Sequence, residues 1–242
     1  MSAHTIQVTA EMVAFDPNNT STRTGAMVYV GSDGYGKFYD QAFTVAGTGG
    51  SATVTLGTQT EVDAGQSSQA YTSIAFNSTG TFVIGGRGDS TAYTFCYAGT
   101  VSGTTITRSA ISQAYSDYGQ PGNVAIDPNA PTKFIFSWYQ SGTNYTARMG
   151  TLSGTGDRTI TWGTAQEIDN GDEGWLEAVT VFNPVTAGEF VMVHRAENPS
   201  VIVQASLGTY SGTTITMGAN YDFPVWGAYY GAACDKSSGV FA

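Results

Sequence analysis

The sequence is short of charge, of cysteine and of histidine. Only 12% of its 242 residues are charged, against about 25% in an ordinary globular protein, so the surface must consist mainly of uncharged polar residues. The chain has nine basic and 19 acidic residues, which gives a net charge of -10. Because nucleic-acid binding depends on basic side chains that displace counterions from phosphates, this balance argues against DNA and RNA as partners.

Long apolar runs and helical periodicity are also missing. No stretch approaches the roughly 18 apolar residues that cross a bilayer, so we expect no membrane insertion. No segment repeats its apolar residues at a spacing of about 3.6, so we expect almost no helix. The two cysteines, Cys96 and Cys234, lie in strand-like apolar runs. We predict buried free thiols, and the alternative is a single disulfide bridge or a reactive thiol.

Two short patterns recur along the chain. A strand that ends in Asp or Asn and leads into a turn appears five times, at intervals of roughly 50 to 60 residues. The acid or amide is Asp16, Asn77, Asp127, Asn183 and Asp235. A Ser-Gly turn followed by alternating Thr and apolar residues recurs at 102–107, 153–163 and 211–218, with a related copy at 53–57. This second pattern predicts a hairpin that leads into a half-buried strand.

Each repeat has room for four antiparallel strands, which is the size of a propeller blade. We therefore predict an all-β chain that forms a single β-propeller domain over residues 1–242, with five blades. The repeats are expected at approximately 11–63, 71–113, 119–169, 176–223 and 226–242. The last one is too short for four strands. Either the chain is a piece of a longer protein, or a neighbouring chain or the N-terminal strand at 5–9 completes the blade.

Within the repeats, a strand of the Ala-Phe-Asp-Pro type, as at 14–17, leads on to Ser-Gly and Thr-Ile-Thr-Trp-Gly segments, as at 153–163. These patterns are similar to the tandem propeller-type repeats of tail-fibre and other virion proteins of marine bacteriophages, and the similarity extends over almost the whole chain. The resemblance implies a structural or receptor-binding protein of the virion, an extracellular particle. Its partners would be other virion proteins and host surface glycans.

No enzyme activity and no cofactor are expected from the sequence. An unfinished blade would expose a strand edge that another chain must cover, so we expect an oligomer. Two alternatives stay open: a lectin-like propeller that acts outside a virion, and, less favoured, a glycoside hydrolase. Repeated weak contacts to sugars on one particle would add up to useful avidity, which favours a binding protein.

Aromatic residues precede the first strand of each later repeat. They are Tyr71, Tyr118, Trp175 and Trp226. In an antiparallel sheet, the chain that enters the first strand and the loop between the second and third strands emerge at the same edge. That geometry adds Asn144 and Tyr145 to the group. Aromatic faces beside amides and hydroxyls suit sugar rings, so we predict a glycan-binding face here. The alternative is that these rings pack between adjacent blades.

The densest acidic stretch spans residues 167–174. Its oxygen ligands Asp169, Asp172 and Glu173, on a Gly-containing loop, form a weak candidate for Ca²⁺. Their spacing does not match the helix-loop-helix calcium pattern and no other repeat carries them, so a solvated acidic turn is favoured and no metal is predicted. The same stretch could supply a glycosidase carboxylate pair, whose separation the sequence does not determine. His194 ends a strand and is predicted to be structural.

Overall fold

The computed structural model describes most of the chain. The described residues are 13–17, 22–30, 38–47, 51–62, 72–87, 93–116, 119–140, 144–154, 158–168, 178–196, 202–223 and 232–241. They form eighteen β-strands and, within these ranges, no α-helix. None of the described residues belongs to a helix that is long and apolar enough to span a membrane. The predicted all-β class is therefore confirmed.

The strands form four antiparallel sheets that follow one another along the chain. Sheet 1 contains β1 (Val13–Phe15), β2 (Arg23–Val30), β3 (Phe38–Ala46), β4 (Thr53–Leu56) and β5 (Thr60–Glu61). Sheet 2 contains β6 (Ser73–Phe76), β7 (Thr81–Arg87), β8 (Thr94–Ser102), β9 (Thr105–Arg108) and β10 (Ser112–Tyr115). Sheet 3 contains β11 (Gly119–Ile126), β12 (Lys133–Gln140), β13 (Asn144–Ser153) and β14 (Thr159–Glu167). Sheet 4 contains β15 (Val179–Phe182), β16 (Glu189–Ala196), β17 (Ile202–Ser211) and β18 (Thr214–Phe223).

Sheets 3 and 4 have the predicted four strands, paired in chain order, whereas sheets 1 and 2 have five. The difference lies in the outer strand. In sheet 1, β4 and β5 both pair with β3, and in sheet 2, β9 and β10 both pair with β8. The outer strands β14 and β18 instead run unbroken and absorb the irregularity as a shift of register, near Gly150 and Gly208 on their partner strands. Such bulges bend a strand without ending its pairing.

A phenylalanine opposite a glycine recurs in the middle of the sheets. Phe82 pairs with Gly99, Phe134 with Gly150 and Phe190 with Gly208. In each pair the ring lies directly over the glycine, where a Cβ atom would collide with it. The glycine leaves room for the ring, and the ring covers a backbone that has no side chain of its own.

Consecutive sheets pack face to face, and each contact encloses one apolar cluster. Sheets 1 and 2 enclose the cluster that includes Val28 and Ile84. Sheets 2 and 3 enclose the one around Trp138, while sheets 3 and 4 enclose the one that includes Met149 and Phe190. The first strands of the sheets also lie side by side, β1 by β6, β6 by β11 and β11 by β15. The core is therefore a series of three layers between four stacked sheets.

The repeated Asp or Asn forms the turn between the first and second strands and also links one sheet to the next. Asn77 Oδ1 accepts the backbone N–H groups of Thr79 and Thr81, while its Nδ2 donates to the Pro131 carbonyl in sheet 3 at 2.6 Å. In the third repeat the link comes from Asn129, two residues after the repeated Asp127, and Asn129 Nδ2 donates to the Asn183 carbonyl. Asn183 in turn donates to the Gly239 carbonyl at 3.4 Å. The sequence repeat therefore corresponds to a repeated contact between sheets.

The Ser-Gly pattern forms the hairpin before the outer strand, as predicted. Gly103 and Gly212 adopt positive φ angles of 58° and 62°, a conformation that glycine adopts without strain. The Thr that follows each glycine lies against the preceding sheet, where Thr104 contacts Gly57 and Thr213 contacts Gly163. The hairpin therefore also holds adjacent sheets together at their outer edges.

The cysteines are free, as predicted, but only one is fully buried. Cys96 lies in the core between sheets 2 and 3, and its burial raises the pKa of the thiol well above the ordinary value. Cys234 is half-buried, and its backbone forms an isolated antiparallel β-bridge with that of Phe241. The prediction that both thiols are buried was therefore wrong for Cys234, because this residue lies in no strand and pairs with the chain only through a single β-bridge.

The two end sheets of the stack each have an exposed apolar face, which we call the outward faces. On sheet 1 the outward face carries Phe15, Val54 and Leu56, with the Phe15 side chain 50% exposed. On sheet 4 it carries Leu207, Tyr221 and Phe223. The opposite faces of both sheets are buried against sheets 2 and 3. Exposed apolar patches of this kind usually mark an interaction surface.

Candidate functional site

Most of the residues predicted to bind glycans or calcium lie outside the described residues. These are Tyr71, Tyr118, Trp175 and Trp226 for the glycan face, and Asp169, Asp172 and Glu173 for calcium. Asn144 begins β13 and pairs with Gln140, but its side chain is not described. The glycan-binding and calcium assignments therefore stay predictions.

Tyr145 is the one predicted glycan contact whose side chain is described. It is the second residue of β13, directly after Asn144, and only 4% of its surface is exposed. Its ring lies against Tyr139 at a centroid distance of 5.7 Å and against His194 at the same distance. Tyr145 thus belongs to the cluster between sheets 3 and 4 in this structure, and its contact with a glycan stays a prediction.

His194 is fully buried in sheet 4. Its Nε2 lies 3.2 Å from Ser206 Oγ, and that hydroxyl donates to Asn220 Oδ1 at 2.6 Å. No group of three metal-ligating side chains occurs within the part of the chain that the structure describes. The contacts of His194 are those of a histidine that joins neighbouring strands, as its structural role requires.

A cleft of about 430 Å³ lies between sheets 2 and 3, near their outer edges. One wall is the connection between β9 and β10, residues 108–112, and the other is the beginning of β14, residues 158–160. Trp162 Nε1 donates to Ser112 Oγ at 2.9 Å and holds the two walls together. Two of the nine basic residues of the chain line this cleft, and none of its described lining residues is acidic.

The charge of Arg108 is neutralised by the buried carboxylate of Asp40 in sheet 1. Its Nη1 donates to Asp40 Oδ2 at 2.6 Å, and its Nη2 donates to the Glu61 carbonyl at the same distance. The Tyr97 hydroxyl also donates to Asp40 Oδ2, at 3.2 Å. Burial raises the pKa of Asp40, although the Arg108 cation opposes that shift. This ion pair holds sheet 2 against sheet 1, so Arg108 contributes little net charge to the cleft.

Arg158 crosses from sheet 3 to sheet 2 and pairs with neutral groups. Its Nη1 donates to the Gly154 carbonyl at 2.8 Å, and its Nη2 donates to Thr81 Oγ1 at 3.0 Å. The third nitrogen, Nε, is buried and has no hydrogen-bond partner among the described residues. No described carboxylate pairs with this guanidinium. The neighbouring acid Asp157 lies outside the described residues.

Arg148 shows how an arginine at the same boundary is used for structure alone. Its Nε donates to the Gly163 carbonyl and its Nη1 to the Ala114 carbonyl, both at 2.6 Å. The guanidinium also lies 5.6 Å from the centre of the Trp162 ring, and burial lowers its pKa. Arg148 therefore joins sheet 3 to sheet 2 within the interface, while Arg158 lines the cleft beside it.

The sequence interpretation did not identify this cleft. The available signal was the position of the two arginines, since Arg108 directly follows the Thr105-Ile106-Thr107 strand and Arg158 directly precedes Thr159-Ile160. In a chain with so few charges, two cations next to copies of the same repeated strand, one at its end and one before its start, were informative. The repeat alone could not show that neighbouring sheets bring them to one cleft.

Comparison with known proteins adds no assignment. No protein-family model matches the chain, and no curated protein is found to be similar to it.

Proposed function

We propose that the chain is a five-bladed β-propeller that serves as a structural or receptor-binding protein of a bacteriophage virion. The propeller architecture is supported by the packing of the sheets. The four sheets pack against one another in chain order, and their first strands lie side by side. A radial arrangement of sheets around their first strands is the arrangement of propeller blades. The virion role is supported by the resemblance of the repeats to phage virion proteins.

Ring closure would explain the two outward faces. A fifth sheet placed between sheet 4 and sheet 1 would cover Leu207, Tyr221 and Phe223 on one side and Val54 and Leu56 on the other. The chain segment after sheet 4 already contacts that sheet, since Gly239 lies against Asn183. The N-terminal segment at 5–9 could add a further strand to this sheet.

Charged substitutions on the outward faces test the closure. If a fifth sheet covers them, Leu56→Asp and Leu207→Asp each bury a charge, and we expect each to lower the free energy of unfolding by at least about 2 kcal/mol. Thr55→Asp is the matched control, because Thr55 is exposed on the other face of the same strand. Equal stability of all three variants, measured by equilibrium denaturation, would reject the closed ring.

Receptor binding depends on the surface and the number of copies. A surface poor in charge and rich in hydroxyls, amides and aromatic rings suits weak contacts with sugars. Many copies on one particle would convert those weak contacts into avidity. An architectural role needs only the apolar faces and strand edges that contact neighbouring subunits.

A binding assay on host cells and on a glycan array tests the receptor role. We expect the wild-type protein, displayed in many copies, to bind, and the double variant Trp175→Ala, Trp226→Ala to bind at least about tenfold more weakly. Val185→Ala is the control, because Val185 is 54% exposed in the turn between β15 and β16, away from both outward faces. Absence of binding to any cell or glycan would reject the receptor role. Absence of the protein from purified particles would reject the virion role altogether.

A further inference from the structure

We propose that the cleft between sheets 2 and 3 binds an acidic sugar unit, with Arg158 as the contact to its carboxylate. Only one part of this proposal, that the ligand is a sugar, rests on the proposed receptor-binding function. The anion preference follows from the residues of the cleft themselves. It assigns a ligand class to a site that is separate from the predicted aromatic residues.

The charges around this cleft favour an anion. The protein carries an excess of ten negative charges, so its overall field repels anions and any anion site needs a local cation. Arg108 is paired with Asp40, and Arg148 is held inside the sheet interface. Arg158 lines the cleft and has no acidic partner among the described residues.

Hydrogen bonding points the same way. A guanidinium is a planar group with five N–H donors that matches the two oxygens of a carboxylate. Arg158 uses two of its nitrogens on a carbonyl and a hydroxyl, and its Nε is buried without a partner. Nη1 and Nη2 each carry two N–H groups, so one N–H on each is left for a further acceptor. An anion in the cleft would accept from these groups and compensate the charge of the guanidinium.

The remaining walls fit a small polar ring rather than a bare ion. A volume of about 430 Å³ lies within the range of small-molecule sites, which is roughly 300 to 1,000 Å³. Ile111 and Ile160 supply apolar surface, and Thr159 supplies a hydroxyl, whereas the Ser109 hydroxyl already donates to the Ala110 carbonyl and accepts from the Ala98 N–H. Apolar surface beside a hydroxyl complements the CH groups and hydroxyls of a sugar, while Arg158 complements its carboxylate.

Titration with two sugars that differ in one group tests the proposal. Glucuronate and glucose share a ring, but only glucuronate carries a carboxylate. We expect the purified chain to bind glucuronate at least about tenfold more tightly than glucose when both are titrated by ligand-observed NMR. Sodium sulfate is the third probe. If sulfate competes as well as glucuronate does, the cleft holds any small anion and the sugar assignment is overturned.

Three variants locate the binding. Arg158→Gln should abolish the preference for glucuronate over glucose, whereas Arg23→Gln should retain it, because Arg23 is exposed on sheet 1 and bonds the Gly47 carbonyl. Ala110→Trp fills the cleft without removing Arg158, so it should also abolish binding if Arg158→Gln proves poorly folded. Retention of the preference by Ala110→Trp would overturn the proposal.

Failure here and failure of the proposed function are distinguishable. The sugar titrations use the isolated chain and do not depend on a virion or a host. Loss of cell binding by the tryptophan variants with intact glucuronate binding would leave this site standing, and the reverse result would remove only this site.

Discussion

Sheet 3 and sheet 4 contain the same four strands in the same order, yet they differ in how many of their faces are buried. In sheet 3, Phe134, Phe136 and Trp138 pack toward sheet 2, while Ile135 and Met149 pack toward sheet 4. In sheet 4, only the face with Phe182, Phe190 and Met192 is covered, and the other leaves Tyr221 and Phe223 exposed.

The comparison shows that the same pattern of apolar residues occurs in an interior sheet and in an end sheet. Apolar residues on both faces suit a sheet that has a neighbour on each side. Sheet 4 carries apolar residues on its outward face as well, so its sequence is that of an interior sheet. The same holds for sheet 1, whose outward face includes Phe43 and Leu56.

The largest expected effect comes from an interior ring. Phe134 is fully buried, covers Gly150 and packs edge-on against Trp162 at 5.4 Å. We expect Phe134→Ala to lower the free energy of unfolding by about 3–5 kcal/mol. Phe15→Ala is the control on the outward face of sheet 1, where we expect about 1 kcal/mol if that face is open. Equilibrium urea denaturation measures both. A smaller loss for Phe15→Ala supports the difference between interior and end sheets, whereas equal losses would indicate that the outward face is covered, as the closed ring requires.

The glycine beneath that ring gives the next effect. A Cβ at Gly150 would collide with the Phe134 ring, so we expect Gly150→Ala to cost about 2–3 kcal/mol through overpacking. Gly218 lies in the outer strand of sheet 4, where a Cβ would contact only the Leu207 carbonyl, at 3.1 Å. Gly218→Ala should therefore stay within about 1 kcal/mol of the wild type. A thermal or urea unfolding series that reversed this order would refute the role of the paired glycine.

Substitutions of the turn residues Asn77 and Asn129 compare hydrogen bonds within a turn with hydrogen bonds between sheets. Asn77→Ala removes three acceptor contacts in the turn and one donor contact to Pro131, and we expect a loss of about 2 kcal/mol. Asn129→Ala removes only the bond to the Asn183 carbonyl, so about 1 kcal/mol is expected. If both variants lose the same stability in urea, the turn contacts of Asn77 contribute nothing.

Two acids should respond to pH with opposite signs. Burial raises the folded-state pKa of Asp40 above 3.8, so its contribution to stability is complete below pH 3.8 and is lost as the pH rises through the folded pKa. Hydrogen bonds from Ser237 and Ser238 lower the pKa of Asp235, so its contribution is complete above pH 3.8 and is lost as the pH falls.

Unfolding at a series of pH values, with Asp40→Asn and Asp235→Asn as references, measures these small effects. Relative to Asp40→Asn, the wild type should lose stability as the pH rises from 3.8. Relative to Asp235→Asn, it should lose stability as the pH falls below 3.8. A slope of the same sign for both pairs would show that the carboxyl environments are not those described.

Much of the fold was predictable from local patterns. The turn residues Asn77, Asp127 and Asn183 and the Gly103 and Gly212 hairpins mark strand boundaries because their turn conformations depend on nearby residues. The alternation of Thr and apolar residues predicted the outer strands for the same reason. The split outer strands of sheets 1 and 2 were not predicted, since pairing with β3 and β8 decides where each strand breaks.

The candidate site was much less predictable. Asp40 and Arg108 are 68 residues apart in the sequence and Thr81 and Arg158 are 77 apart, and nothing local identifies such partners.

By itself, the sequence determined the all-β class, the repeated turns and the strand order, because these depend on backbone preference and on apolar periodicity within short segments. Only the tertiary structure decided which arginine is neutralised and which lines a cleft. That distinction depends on which side chains of one sheet meet the next, because burial, pairing and the resulting electrostatics arise only when separate sheets pack.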